Sequence, residues 1–194
     1  MTVASRPNFE GQIVAERRVE MLLFKVTKAL DEAGIAYAVI GGNAVAAWVM
    51  TVDEGAVRAT RDVDLLVHRR DLDVLAAALE PAGLMRLEVL GVSMFVDRQR
   101  PNPKTGVHLV FSGERIRAHY QHAAPGLDAA VRGRSGYRVI DLPALVAMKL
   151  QAFRDIDRVH IRDMLSVGLI DEATINALPE DLRDRLDEIR SREE

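Results

Sequence analysis

The spacing of hydrophobic positions changes several times along this chain, and each change marks a new element. Val19, Leu22, Leu23, Val26 and Leu30 recur at helical spacing and predict an amphipathic helix over residues 10–33. Gly34 stops it. Ile35 to Ile40 is a short apolar run rich in branched and aromatic residues, which predicts a buried strand. Gly41-Gly42 then opens Asn43 to Met50, mostly Ala, Val and Trp, read as a short buried helix. Residues 51–60, with Gly55 and several charges, read as a loop. Val63, Leu65 and Val67 alternate with Asp62, Asp64, Leu66 and His68, giving a strand with two distinct faces. Leu72, Leu75, Ala76 and Leu79 mark the next helix, ended by Pro81 and Gly83. Leu84 to Leu90 and Ser93 to Asp97 read as a hairpin joined across Gly91. Arg98 to Gly106 holds two prolines and reads as a loop. Val107 to Phe111 is a further strand, and Tyr137 to Ile140 a short last one.

From Leu142 the period stays helical. Leu142, Leu145, Val146 and Leu150 make one helix and Val159 to Val167 a second. Leu182, Leu186 and Ile189 make a third, with Pro179 near its first turn, where a missing N–H costs little. The pattern is that of an α/β (α+β) fold: a core over residues 1–140, then a helical cap over 141–194. A length of 194 residues suits one domain, or one with a small appendage.

Composition narrows the class. With no cysteine there is no disulfide framework and no thiolate metal site. No run of about 18 apolar residues exists, so no membrane-spanning helix is expected. Met1 to Arg18 lacks an apolar signal core, which leaves the cytoplasm as the expected compartment. The net charge of −3 hides a basic middle: residues 98–138 carry eight Lys/Arg against two Asp/Glu. The whole is too balanced for broad nonspecific nucleic-acid binding. The basic middle can face a polyanion such as a triphosphate or an RNA end. Equally, it is a set of solvated loops with counter-charges folded nearby.

Two short motifs carry the candidate chemistry. Asp62 and Asp64 stand two apart on a strand, so their Cα atoms lie about 6.6 Å apart on one face. Like charges so close repel unless a cation sits between them or one takes a proton. Mg²⁺ meets that demand, with hard oxygen ligands and room for substrate phosphates. The plain alternative is a pair of solvated aspartates. Gly41-Gly42, at the end of a strand and the start of a helix, lets backbone N–H groups approach an anion. Asn43 can cap that helix or donate to a phosphate oxygen. The plain alternative here is a tight turn that needs glycine only for backbone geometry. The two motifs in this order are more specific than either alone.

Val39-Ile40-Gly41-Gly42-Asn43, followed by Thr60-Arg61-Asp62-Val63-Asp64-Leu65-Leu66, resembles the nucleotidyltransferase superfamily. The resemblance is closest to the AbiEii/AbiGii toxin-like branch, where a Thr stands two residues before the first Asp. Met148-Lys149-Leu150, Arg154, Asp157 and Asp163 match a lysine, arginine and acidic pattern of these relatives, so the likeness covers roughly residues 35–170. It implies a mixed-sheet core flanked by helices, with Asp62 and Asp64 holding a divalent cation, Mg or Mn. An NTP would bind through its triphosphate at Gly41, Gly42, Asn43, Thr60, Lys149 and Arg154. An acceptor, RNA, protein or a small hydroxyl compound, would attack the α-phosphorus and pyrophosphate would leave. The toxin-like branch further implies an antitoxin-type protein partner.

One position departs from that pattern. A third carboxylate is expected on the strand Val107 to Phe111, and His108 takes its place. Imidazole is a poor Mg²⁺ ligand but a good one for Mn²⁺, Zn²⁺ or Fe. His108 is therefore a third metal ligand, a general base near neutral pH, or the mark of a site that binds nucleotides without turning them over. Asp97 is the one nearby carboxylate that can substitute. Lys149 has a plain alternative as a solvated lysine, and Arg154 with Asp157 as a surface helix pair. Asp163 equally caps or orients a helix neighbour. His160, with Asp157 and Asp163 three residues to either side, can ligate a metal on a helix face or join a surface network.

Overall fold

A computed structural model of the chain describes residues 9–191. A long helix α1 (Phe9–Glu32) leads into strand β1 (Tyr37–Ile40), which passes directly into helix α2 (Gly41–Val49). Strand β2 (Val63–Val67) and helix α3 (Leu72–Leu79) precede the hairpin β3 (Leu84–Val89) and β4 (Val92–Asp97). Strand β5 (Val107–Phe111) follows a short 3-10 turn at Pro103–Thr105. A second hairpin, β6 (Ala130–Arg132) and β7 (Arg138–Ile140), closes the sheet. Helices α4 (Leu142–Ala152), α5 (Asp155–Ser166), α6 (Glu172–Asn176) and α7 (Glu180–Arg190) complete the described chain.

The seven strands form one mixed sheet in the order β3-β4-β5-β2-β1-β7-β6. The pairs β2–β5 and β1–β7 are parallel, and the other four are antiparallel. Helices α1 and α3 pack together, while α2 packs on α4 and α5, and β2 touches both α1 and α2. Both faces of the sheet are thereby covered. This corrects the two-faced reading of β2: Leu66 is as fully buried as Val63, Leu65 and Val67. Only Asp64, toward the open end of the strand, keeps exposure.

Other differences have local causes. Helix α2 starts at Gly41 itself, with Ile40 in the N-cap position and no side-chain cap. Strand β3 stops at Val89, so Leu90 and Gly91 together form a two-residue turn. Strand β6 and helix α6 have no counterpart in the sequence reading, because three and five residues are too few to display a period. The core runs without a break from Val19 on α1 to Ile189 on α7. No described helix is long and apolar enough to cross a membrane.

Candidate active site

Register alone brings the predicted residues together. Ile40 on β1 faces Asp64 on β2, and Asp64 faces His108 on β5. The last residue before the glycines, the second aspartate and the histidine therefore form one row across the sheet. Gly41 follows at φ +67, a conformation that favours glycine. A Cβ there would collide with the Asp64 carboxylate, which fills that space. A Cβ on Gly42 would lie 3.0 Å from Thr60 Oγ1 and 3.8 Å from His160 Cε1. Gly41 is thus required for close approach and for its backbone angle, while a Cβ on Gly42 would press on the Thr60 side chain.

Asp62, Asp64 and His108 each offer a ligand atom within 4.8 Å of the others, and this is the one such group among the described residues. His108 Nδ1 lies 3.4 Å from Asp62 Oδ2 and 3.6 Å from Asp64 Oδ1. Its other ring nitrogen, Nε2, is 2.8 Å from the Pro103 carbonyl oxygen. A carbonyl only accepts, so Nε2 carries a proton and donates it. Nδ1 is left either as a lone pair aimed between the carboxylates or as a second N–H bonded to them. The hydrogen bonds to Asp62, then to Asp64, push His108 up to about 10 against the opposing effect of burial. The same contact with His108 holds the Asp62 carboxyl below the usual range.

The surrounding residues fix the Asp62 backbone. Asn43 Nδ2 donates to the Asp62 carbonyl at 2.7 Å, so Asn43 ties α2 to β2 and does not cap its helix. Thr60 Oγ1 donates toward the same carbonyl at 3.3 Å and toward Asp62 Oδ1 at 3.4 Å. Asp97 lies outside the group: its Oδ1 accepts the backbone N–H groups of Gln99 and Arg100 in a turn.

Behind the glycines lies a cluster whose burial the sequence reading missed. Lys149 is buried, not solvated, with Nζ 3.0 Å from Asp157 Oδ1. Arg154 bonds the same carboxylate through Nε at 2.6 Å and Nη2 at 3.2 Å, and its backbone N–H donates to Oδ2 at 3.2 Å. Burial raises the Asp157 carboxyl, but the Arg154 bond and the Lys149 charge outweigh it and hold the group below its ordinary value. Arg154 keeps 62% of its side chain exposed and feels the charge of Asp64 as well as that of Asp157. Asp163 pairs with Arg58 across two bonds, at 2.6 and 3.1 Å.

His160 lies between these groups and is no metal ligand in this arrangement, since Asp157 and Asp163 are both engaged elsewhere. Its Nδ1 is buried with no hydrogen-bond partner. Burial first, then the Lys149 charge, pushes it down to about 4. The folded chain therefore holds His160 neutral while the unfolded chain protonates it near pH 6.5. Stability falls as pH drops from about 6.5 to 4, by on the order of 3 kcal/mol. Urea unfolding of a His160→Gln chain is expected to show a flatter pH profile across that window, and an unchanged slope would refute this assignment.

No protein-family model matches the chain, and no curated protein matches it in sequence. Solved structures do match its three-dimensional form. One is ANT(2")-Ia, solved in complex with adenylyl-2"-tobramycin: 18% identity and a TM-score of 0.53, covering 92% of this chain and 99% of that one. Another is an antigenic nucleotidyltransferase-like protein from Paracoccidioides brasiliensis, at 17% identity and a TM-score of 0.57, covering 92% of this chain and 89% of that one. Identities this low speak to architecture alone, and the mixed sheet flanked by helices is the nucleotidyltransferase-type fold.

Proposed function

We propose that this chain is a metal-dependent nucleotidyltransferase that moves a nucleoside monophosphate from an NTP to an acceptor oxygen. One observation carries the reading: His108 Nδ1 faces both Asp62 and Asp64 while the Pro103 carbonyl fixes its other nitrogen. A backbone carbonyl on the far nitrogen is the outer-shell partner that orients histidines for metal binding. The donor set fits a divalent cation. Donors about 2.1 Å from one ion stand about 3.0–3.4 Å apart in octahedral or tetrahedral arrangement, close to the 3.4 and 3.6 Å separations from His108. One imidazole with two carboxylates favours Mn²⁺ over Mg²⁺. When bound, such an ion neutralises phosphate charge and lowers the pKa of an attacking hydroxyl.

The chain's own residues do the rest. The amides of Gly41 and Gly42, at the N-terminus of α2, receive phosphate oxygens. Asn43 and Thr60 hold the Asp62 backbone, which keeps that carboxylate in register with Asp64. Arg154, exposed and within the electrostatic reach of Asp64, meets the triphosphate, and Lys149 steadies it through Asp157. The acceptor oxygen forms its bond to the α-phosphorus as the bond to pyrophosphate breaks. The likeness to the toxin-like branch supports RNA or protein as acceptor, an antitoxin-type partner and a cytoplasmic setting. It also supports residues 141–194 as a helical cap on the core.

Labelled NTP, incubated with cell-extract RNA and protein in Mn²⁺ or Mg²⁺, tests the proposal. Label transfer is expected, greater in Mn²⁺. Retained nucleotide binding with no transfer in either metal rejects it. A second reading has its own support: with pKa about 10, a protonated His108 takes the place of a cation between the carboxylates. The chain would then bind nucleotides without turnover. His108→Asp separates the two, since a gain of transfer marks a degenerate site, whereas loss of an existing activity in His108→Ala marks a working ligand.

A further inference from the structure

Far from the site, the chain holds a bulky side chain in a conformation built for another residue. Val89 faces Val92 across a two-residue turn, with Leu90 at φ +51 and Gly91 at φ +78. A hairpin turn with both central residues at positive φ favours Asn-Gly, because its first position crowds a Cβ. Leu90 is nevertheless there, and it is 100% exposed. Among the described residues none covers this apolar side chain. Val92, 45% exposed, extends the apolar tip, and the exposed Glu88 stands beside it.

The opposite edge of the same sheet carries a complementary feature. A cavity of about 200 Å³ is lined by Ala47, Trp48, Met50, Val131 and Val139. Trp48 is held as a fixed wall by its indole bond to the Ile140 carbonyl at 3.0 Å. The cavity is smaller than the roughly 300–1,000 Å³ typical of small-molecule sites and suits one or two aliphatic side chains. Arg132 and Arg134 rim it, and residues 129–140 contain no acidic group. Arg134 has no side-chain partner among the described residues.

The topology puts tip and cavity at the same end of the sheet. Strand β3 crosses the row Ile40, Asp64, His108 at Leu87 and carries the tip beyond it, β6 runs away from the row in the same direction, and α2 starts at that row and ends by the cavity. We propose that the chain self-assembles head to tail, with Leu90 and Val92 of one copy seated in the Trp48–Val131 cavity of the next. Glu88 beside the tip meets the Arg132 and Arg134 rim, which sets the orientation. Tip and cavity are different surfaces, so the contact is heterologous and builds rings or open chains. Every candidate active site stays accessible, at the far end of its sheet.

Sedimentation velocity over a wide concentration range is the test. The wild-type chain is expected to assemble with rising concentration. Leu90→Asn removes the knob and relieves the strain, so it is expected to be monomeric with a melting temperature higher by roughly 2–4 °C. Val131→Lys places a charge in the cavity and is expected to be monomeric with its melting transition intact; Met50→Lys at the cavity mouth replaces it should Val131→Lys not fold. Leu90→Asn keeps the cavity and Val131→Lys keeps the knob, so an equimolar mixture is expected to form 1:1 dimers. A monomeric wild-type chain, a Leu90→Asn chain that assembles normally, or a mixture that stays monomeric each overturns the proposal.

Discussion

Replacing Asp64 with asparagine is expected to lower nucleotide transfer about a thousandfold and leave the fold intact. The amide has the shape of the carboxylate, so it still fills the space above Gly41 where a Cβ cannot go. What it lacks is charge. A cation held by Asp62, Asp64 and His108 loses one anionic ligand, and several kcal/mol of transition-state stabilisation go with it, at about 1.4 kcal/mol per decade of rate. A second readout is independent of any assay. Asp62 and Asp64 both raise His108, which stands at about 10, and in Asp64→Asn the imidazole is expected to titrate closer to 6.5 by NMR. The sign for stability follows. A raised histidine contributes stability that is fully present below about pH 6.5 and is lost as pH rises through about 10, so the variant should lose less stability over that range. Transfer within tenfold of wild type would show that Asp64 does not hold the cation.

The row that prediction depends on was only half legible in the sequence. Gly41-Gly42 and Asp62-x-Asp64 stand out because a strand ending in glycine and two carboxylates at spacing two are local patterns. That β2 and β5 are parallel neighbours, pairing Asp64 with His108, is a matter of sheet order, which period does not encode. Leu66 misled for a related reason: alternation reports one covered face, and here helices cover both. Lys149 reads as a phosphate-binding lysine or a solvated one, and only the packing of α4 on α5 reveals its burial on Asp157. Asn43 has the residue type of a helix cap, but its amide reaches a carbonyl 19 residues on, and no local rule predicts that. His160 carried a faint signal, acidic neighbours three residues to either side, which reads as a metal ligand or a surface network, whereas the structure buries its Nδ1 without a partner. Its burial behind Gly42 follows from the contact between α2 and α5.

Truncating Asp157 to alanine is expected to cost about 3–5 kcal/mol, a large part of the roughly 5–15 kcal/mol that holds a domain folded. The carboxylate is 1% exposed and accepts from Lys149 Nζ and from the Nε, Nη2 and backbone N–H of Arg154. Lys149 lies in the last turn of α4 and Asp157 in the first turn of α5, so one buried ion pair staples the two helices. Without Asp157, the Lys149 ammonium stays buried and unpaired, and that orphaned charge is the main cost. Replacing both partners at once removes it, so Asp157→Leu with Lys149→Met is expected to recover most of the stability in urea unfolding. Arg154 responds differently. Its exposed guanidinium is free to swing into solvent once Asp157 is gone, and it no longer stands at the triphosphate side of Asp64. The double variant is therefore expected to fold well and still transfer nucleotide poorly. A single-variant cost below about 1 kcal/mol would mean that the pair contributes no more than a surface bridge, and full transfer in the double variant would remove Arg154 from the proposed nucleotide site.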